Sequence, residues 1–526
     1  MDTGKLVLLV HTLKYLRFKQ IYYRGYYLIC NRFFKKNYKK TLSKATEPLV
    51  WNDSFLYTDS YKKDNTFEFL NQPHVFNAQI DWNYNPFGKL WTYNLNYFDF
   101  LNQNNISSEE GLSLIEDYVK NDSELKDGKE PYPISLRGIN WVKFLSKHSI
   151  SKPEINQTLY NHYQTLANNL EYHLLGNHLL ENGFSLFFGA YFFKDKTLYA
   201  MAKNILKDEL TEQILNDGAH FELSPMYHQI LLHRLLDCIS LSQLNSCKED
   251  DICLLLKEKA LKMLSWLQGV TFSNGNIPMV NDSAFGIAPT SKQLFDYAKE
   301  LGLELQKGKL SDSGYRKFTL PNYEMFMDVG NVGPTYQPGH AHSDTFNFEL
   351  YVNGKPIIVD TGTSTYEKNA LRQSERETAA HNTIKIGNQE QTQVWGGFRV
   401  AKRAKVTIVE DTESQVKASH DGYRNLGVKH FRSFTSEASQ IVIEDLISEE
   451  VKQKQVAFFH FHPLVRQVEI HENGVKLSQE NIHITFGNHL KIELLPFDYA
   501  TGFNQREKSQ KIAVSFQKNL KTQIDL

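Results

Sequence analysis

Between about residues 105 and 305, apolar positions recur three and four apart, in stretches such as "GLSLIEDYVKN", "INQTLYNHYQTLANNLEYHLL" and "DDICLLLKEKALKMLSWLQGV". That period predicts amphipathic helices. The short Gly, Asn, Asp or Pro breaks between them predict helical hairpins, arranged as a bundle, a solenoid or a toroid. After about residue 312 the period falls to two. "TFNFELYVNGKPIIVD", "NTIKIGN" and "QVAFFHFHPLVRQVEI" alternate, are rich in β-branched and aromatic residues, and are punctuated by turns at Asn353-Gly354 and Asn473-Gly474. Many short strands of this kind predict a large antiparallel β domain, a sandwich. The change of period puts a linker at 305–317. It divides the chain into an arm over 1–45, a helical domain over 46–308 and a β domain over 309–526.

Polar residues interrupt both patterns in three places. In "LLGNHLLENGFSLFFGAYFF", Asn177, His178, Glu181 and Asn182 sit on an otherwise apolar helix. Helical spacing gathers the last three on one face with Asn177 beside them, as a structural hydrogen-bond network or as the floor of a site. In "DGAHFELSPMYHQILLHRLLD", Ser224 before Pro225 is an N-cap signature that puts Tyr227 and His228 in the first helical turn. The helix dipole there favours a phenolate or a bound anion, so Tyr227 is a candidate acid or base, against the alternative of a capped core tyrosine. The third place is "GHAHSDTFNFELYVNGKPIIVD". Pairing about Asn353-Gly354 sets Val352 opposite Lys355 and Asn347 opposite Asp360, with Phe346, Phe348, Leu350 and Val352 on the core face. His342 reaches Asp360 only through a bulge or loop. With His381 further on, two imidazoles and a carboxylate make a chemically reasonable zinc trio, against the plainer reading of a polar sheet edge.

Composition narrows the function classes. Charged residues are 23% of the chain and the net charge is −1, so no global field favours nucleic acid. Four cysteines form no CxxC and no disulfide framework. "LVLLV" at 6–10 is too short for a signal-peptide core and lacks a clear cleavage site. Residues 1–44 nonetheless carry eleven Lys or Arg and one acid, Asp2. Leu9, Leu13 and Leu16 are helically spaced against Lys14, Arg17 and Arg24, which suits either an amphipathic helix on an anionic membrane or a packing arm with a solvated basic face.

Taken together, "GHAHSDTFNFELYVNGKPIIVDTGTSTYE", "RETAAHNTIKIGNQEQ", "WGGFRVAKRAKV", "GNHLLENGFSLFFGAYFF" and "DGAHFELSPMYHQILL" resemble the heparinase II/III family of polysaccharide lyases, over roughly residues 80–500. The resemblance implies an incomplete (α/α) toroid followed by an antiparallel β-sandwich, with a cleft between them. It also implies β-elimination at a uronic acid, in an anionic, glycosaminoglycan-like polymer. Carried over by motif, Asn177 neutralises the substrate carboxylate, Tyr227 transfers protons, and His178 or His340 is the second proton-transfer group. Glu222, His228, Arg376 and Arg399 are expected to contact substrate, with Arg372 and Arg403 as further carboxylate or sulfate partners. His342, Asp360 and His381 match positions of a structural divalent metal, zinc. The basic arm in place of a cleavable signal departs from a secreted lyase. It favours a bacterial enzyme of the cell envelope or the cytoplasmic membrane face, acting on a cell-surface or capsular polymer. Two alternatives stand beside this reading: a glycoside hydrolase using carboxylates among Glu181, Glu222 and Asp282, and a glycan-binding or assembly protein that keeps the fold.

Overall fold

The protein is described here from a computed structural model covering residues 3–33, 38–43, 45–53, 55, 57–245 and 251–526. Cys247 and the basic pair Lys35 and Lys36 lie outside the described residues, as does Asp2.

Two short helices open the chain, α1 (Thr3–Leu13) and α2 (Phe18–Phe33), and a small hairpin of β1 (Thr66–Phe69) and β2 (Gln72–Val75) follows. Among the described residues nine helices come next: α3 (Lys89–Tyr97), α4 (Ser108–Asn121), α5 (Pro131–Lys147), α6 (Pro153–Asn168), α7 (Gly176–Phe193), α8 (Lys196–Gln213), α9 (Pro225–Leu244), α10 (Asp251–Val270) and α11 (Ser291–Glu300). They alternate between two layers. The inner helices α3, α5, α7 and α9 pack on one another in sequence, and α4, α6, α8 and α10 pack outside them, giving an open toroid. Position explains composition. α5, α7 and α9 are buried almost all round and so carry little amphipathic contrast, whereas α4 keeps a polar face and opens with a Ser107–Glu110 capping box.

The β domain has two main sheets. The smaller holds β3 (Tyr315–Thr319), β4 (Tyr323–Asp328), β5 (Phe348–Val352) and β6 (Lys355–Ile358), in that order. The short β7 (Ile384–Ile386) pairs into the larger sheet, and β8 (Val394–Trp395) pairs with β9 (Arg399–Val400) in a separate ribbon. The rest of the larger sheet is β10 (Val406–Asp411), β11 (Gln415–His420), β12 (His430–Ser436), β13 (Gln440–Ile447), β14 (Gln455–His460), β15 (Val468–His471), β16 (Gly474–Leu477), β17 (Ile482–Gly502) and β18 (Gln505–Asp525). The two sheets share one apolar core, and the smaller one is also covered by the helices: Tyr315, Phe326 and Tyr351 belong to the toroid's core. β4 and β5 are therefore buried on both faces. A sheet in that middle position ties the two domains together.

The hairpin of β5 and β6 begins as its sequence predicts. Val352 pairs with Lys355, and Asn353 and Gly354 both take left-handed φ angles of 50° and 72°. One turn later the register slips, with Tyr351 opposite Pro356 but Leu350 opposite Ile358. Pro356 has no N–H to give the ladder, and a bulge there restores pairing beyond it. Asn347 accordingly reaches Asp360 through its side chain, Nδ2 to Oδ2 at 2.6 Å, and not as a ladder partner. At the other end Phe346 is left-handed (φ 68°), which ends the extended run short of His342.

Arg432 anchors the loops that leave this hairpin. Its guanidinium is fully buried, forks onto Asp445 at 2.7 and 3.0 Å, and donates to the carbonyls of Phe346 and Asn382 at 2.8 Å each. Replacing Arg432 with Met leaves the Asp445 charge and two carbonyls without these donors. The expected cost is about 3–5 kcal/mol, read as an earlier unfolding transition of the β domain in urea.

Candidate functional site

The inner helices α5, α7 and α9 all begin at one mouth of the toroid, facing the sandwich loops. Between them lies a cleft of about 560 Å3. Its walls include Tyr93, Tyr97, Tyr132 and Phe503, and its polar residues include Asn177, His178, Glu222, Arg234 and His340. Phe503 comes from the tip of the long β17–β18 ribbon. That tip is pinned to the toroid by Asn71 Nδ2 donating to the Phe503 carbonyl at 2.9 Å and Asn504 Nδ2 to that of Leu70 at 3.0 Å. Helix N-termini converging on a cleft make it hospitable to negative charge.

Each N-terminus has a local cause. Ser224 caps α9, its Oγ accepting from Tyr227 N at 3.3 Å while donating to the Asp282 carbonyl at 2.9 Å. α7 begins at Gly176, whose φ of +60° is left-handed and where any Cβ would stand 2.5 Å from Glu222 Oε1. Glycine is needed so that Glu222 can cap the helix: its Oε1 accepts from Asn177 N at 2.9 Å and its Oε2 from Asn177 Nδ2 at 2.7 Å.

Asp282 organises the other side. It has no solvent exposure and sits against Arg372 (Nη2 to Oδ2 at 2.6 Å), His340 (Nδ1 to Oδ2 at 2.9 Å) and His342 (Nε2 to Oδ1 at 2.9 Å). Burial alone would raise its pKa, but Arg372 and then the two imidazoles hold it well below the carboxylate range. An ionised carboxylate only accepts, so the neutral form of His340 carries its proton on Nδ1 and keeps a lone pair on Nε2. That lone pair accepts from Asn177 Nδ2 at 3.3 Å and lies 3.4 Å from Glu222 Oε2.

Tyr227 stacks on the same imidazole, ring centroids 3.9 Å apart, and its oxygen accepts from Tyr366 OH at 3.3 Å. Burial pushes the Tyr227 phenol far above its ordinary value, so it is a neutral proton carrier. His178 keeps 40% of its side chain exposed, rests on the Tyr132 ring and bonds Glu171 through Nδ1 at 3.0 Å. Burial works against its charge, yet Glu171, with Glu222 and Glu181 behind it, raises its pKa.

Four of the expected residues thus meet in one place: Asn177, Tyr227, His340 and Glu222, with His178 at the rim. Others do not. His228 faces away from the cleft, accepting from His220 N through Nδ1 and reaching the Met263 carbonyl through Nε2. Neighbours in a helix point about 100° apart, so Tyr227 and His228 cannot share a face. Arg376 is fully buried and spends its guanidinium on the carbonyls of Ala341 and Gly397, which shapes the loop under His340 but contacts no cleft. Arg399 is exposed and lies over Trp395, and Arg403 donates to the Thr335 carbonyl. Glu181 is sealed by Arg234 Nε at 2.9 Å, and Asn182 donates to Glu171, which makes that half of α7 a structural network. Asp282 as a hub, Tyr366 and Arg234 were not singled out by sequence reasoning for these roles. Asp282 lies 58 to 90 residues from its partners, and no local period encodes that.

The expected metal trio is divided. His381 Nδ1 bonds Asp360 Oδ2 at 2.8 Å, while His342 turns to Asp282 and its ring lies 5.4 Å from that of His381. Among the described residues no group of three or more His, Cys, Asp or Glu is arranged to hold a metal ion. The donor chemistry still fits one: His342 Nδ1, His381 Nε2 and Asp344 Oδ2 are buried without a partner. In their neutral forms both of those nitrogens carry lone pairs.

Comparison with known proteins bears on the whole arrangement. The heparinase II/III N-terminus family matches residues 134–300 and the heparinase II/III-like C-terminal family matches 305–526. Heparin-sulfate lyases of Bacteroides stercoris and Pedobacter heparinus are 24% and 25% identical over 341 and 395 residues, 58% and 69% of this chain. The chain spans about half the length of these curated relatives, 49% and 57%. The crystal structure of heparinase III superposes with a TM-score of 0.65 at 18% identity, over 97% of this chain and 85% of that one. Heparan sulfate lyase HepC from Pedobacter heparinus gives 0.57 at 18%, over 96% and 87%. At such identities these structures establish the fold: a helical toroid followed by antiparallel β-sheets.

The raised pKa of His178 is itself testable. Because Glu171 favours the charged imidazole, Glu171→Gln should lower the His178 pKa in an NMR titration. An unchanged value would remove Glu171 as the cause.

Proposed function

The chain belongs to the heparinase II/III-like family, and on that premise we propose that it is a polysaccharide lyase cleaving a uronate-containing anionic glycan by β-elimination. The observation that carries this reading is the meeting of Asn177, His340 and Tyr227. An amide donor, an imidazole with Nδ1 on Asp282 and Nε2 turned to that amide, and a neutral phenol stacked on the imidazole meet at the N-termini of two helices.

β-Elimination needs those three groups. The proton on C5 of a uronate is weakly acidic because its neighbour is a charged carboxylate. Asn177 Nδ2, turned from Glu222 to that carboxylate, stabilises the charge that develops there, helped by the α7 dipole and by His178. His340 Nε2 takes the C5 proton. The C5–H electrons form the C4=C5 double bond, the C4–O4 bond breaks, and the departing oxygen takes the phenolic proton of Tyr227. The products are an unsaturated uronate end and a chain ending in a hydroxyl, with no water consumed. Protonated His340 is stabilised by Asp282 on one side and Glu222 on the other, and it is placed to return a proton to Tyr227. The aromatic walls suit the apolar faces of sugar rings. Lacking any exposed carboxylate pair at Glu181 and Asp282, both tied to arginines, the site offers little to a hydrolase.

The polymer is proposed to be a bacterial cell-surface or capsular glycan. The test is a panel of uronate polymers followed by ultraviolet absorbance and mass. Unsaturated products are expected, and Tyr227→Phe should cut kcat by about 100- to 10,000-fold at an unchanged melting temperature. Reducing ends without unsaturation would mean hydrolysis, binding without turnover would mean a glycan-binding protein, and undiminished turnover in Tyr227→Phe would remove Tyr227 from its role.

A structural divalent ion, zinc by its donor types, is proposed at His342 Nδ1, His381 Nε2 and Asp344, the atoms left without partners, with Asp360 behind His381 on its Nδ1 and not on the ion; there it would brace the sandwich loops beneath the cleft. Chelation should then lower the melting temperature and release metal detectable by elemental analysis. A metal-free protein with an unaltered melting temperature would eliminate the ion.

A further inference from the structure

The first two helices have two distinct sides. The inner side is fastened to both domains. Gln20 is fully buried and donates to the Leu174 carbonyl at 3.1 Å, Tyr27 OH donates to that of Leu170 at 2.6 Å, and Arg17 meets Glu212 at 2.8 Å. On the sandwich, Trp395 Nε1 donates to Thr12 Oγ1 at 3.1 Å and Arg403 lies 3.9 Å over the Tyr15 ring. The outer side is apolar and in water. α1 exposes Leu6, Val7, Val10 and Leu13, while α2 exposes Phe18 (82%), Ile21, Leu28 (69%) and Phe33 (69%). In α1 these positions recur at three and four, and in α2 exposed Phe18, Tyr22, Ile29 and Phe33 are spaced four, seven and four with Ile21 and Leu28 beside them, so they form a stripe and not scattered residues.

We propose that α1 and α2 are a monotopic membrane anchor that lays this stripe into the surface of an anionic lipid bilayer. The reading is independent of the reaction proposed above. Charge complementarity chooses the occupant: residues 1–44 hold eleven Lys or Arg against one acid, an excess that attracts acidic headgroups and repels a second copy of the same surface. Length excludes crossing. The helices have 11 and 16 residues, short of the roughly 20 that span a bilayer, and among the described residues no helix is long and apolar enough to do so. Exposed Tyr22, with one apolar and one polar end, suits the headgroup boundary. Because the inner side is bonded to toroid and sandwich alike, the anchor would hold the whole body at a fixed attitude to the membrane.

The experiment is co-sedimentation of the full chain with phosphatidylcholine vesicles, with and without about a third phosphatidylglycerol. Binding is expected at least about tenfold stronger with the anionic lipid, falling as salt is added. The double variant Phe18→Ser, Leu28→Ser should weaken it about a hundredfold at an unchanged melting temperature, since both side chains are exposed. Failure to bind anionic vesicles, equal binding to neutral ones, or full binding by the variant each overturns the proposal. So does a wild-type dimer in sedimentation velocity that the variant abolishes, which would give the stripe to a second copy.

Discussion

A carboxylate cut off from water must be surrounded by donors, and Asp282 obtains its side-chain donors from the β domain. It leaves the helical half on the segment after α10, while Arg372, His340 and His342 arrive from sandwich loops. An uncompensated buried charge costs several kcal/mol, so the two halves must meet in the one alignment that brings these partners in. The neighbouring residues reinforce it. Asn281, in a left-handed conformation at φ 54°, donates to the Leu223 carbonyl and accepts from His342 N at 3.0 Å, and Asp282 N donates to the His340 carbonyl at 3.1 Å. The electrostatics of domain docking and the tautomer of His340 are therefore one arrangement.

Glu222 plays the matching part on the toroid. A buried acid against a helix start is tolerated because backbone and side-chain N–H groups of Asn177 satisfy both of its oxygens. Burial would raise its pKa, but His340, His220 and the Asn177 bonds together lower it, so it remains an acceptor. Asn177 is thereby held facing His340. The same hydrogen bonds that stabilise the helix start fix the rotamer of that amide beside His340.

What the sequence revealed was local, and what it concealed was long-range. The Asn353-Gly354 turn and the Ser224-Pro225 cap follow from backbone preferences of a few residues, and both are present. The register slip at Ile357 was also encoded locally, in the missing N–H of Pro356. Counting residues across an ideal hairpin passes over it. His228 and Tyr227 share a motif, but a helix separates their faces. Arg372 and Arg376 lie one turn apart on the helix Ala370–Arg376, yet one meets a carboxylate and the other two carbonyls, because what they face comes from distant loops. Matching to a family placed Asn177, Tyr227 and His340 together. The role of Asp282 emerges only from geometry.

Clefts between two domains usually breathe about a hinge, opening for a ligand and shutting over it. Here the opening pair of helices runs like a leash from the toroid at Leu170 and Leu174 to the sandwich at Trp395 and Arg403. Any wide swing of one domain must first detach it. Opening or closing the cleft therefore carries the added cost of stretching or releasing these contacts, and the leash biases the two domains towards the separation seen here.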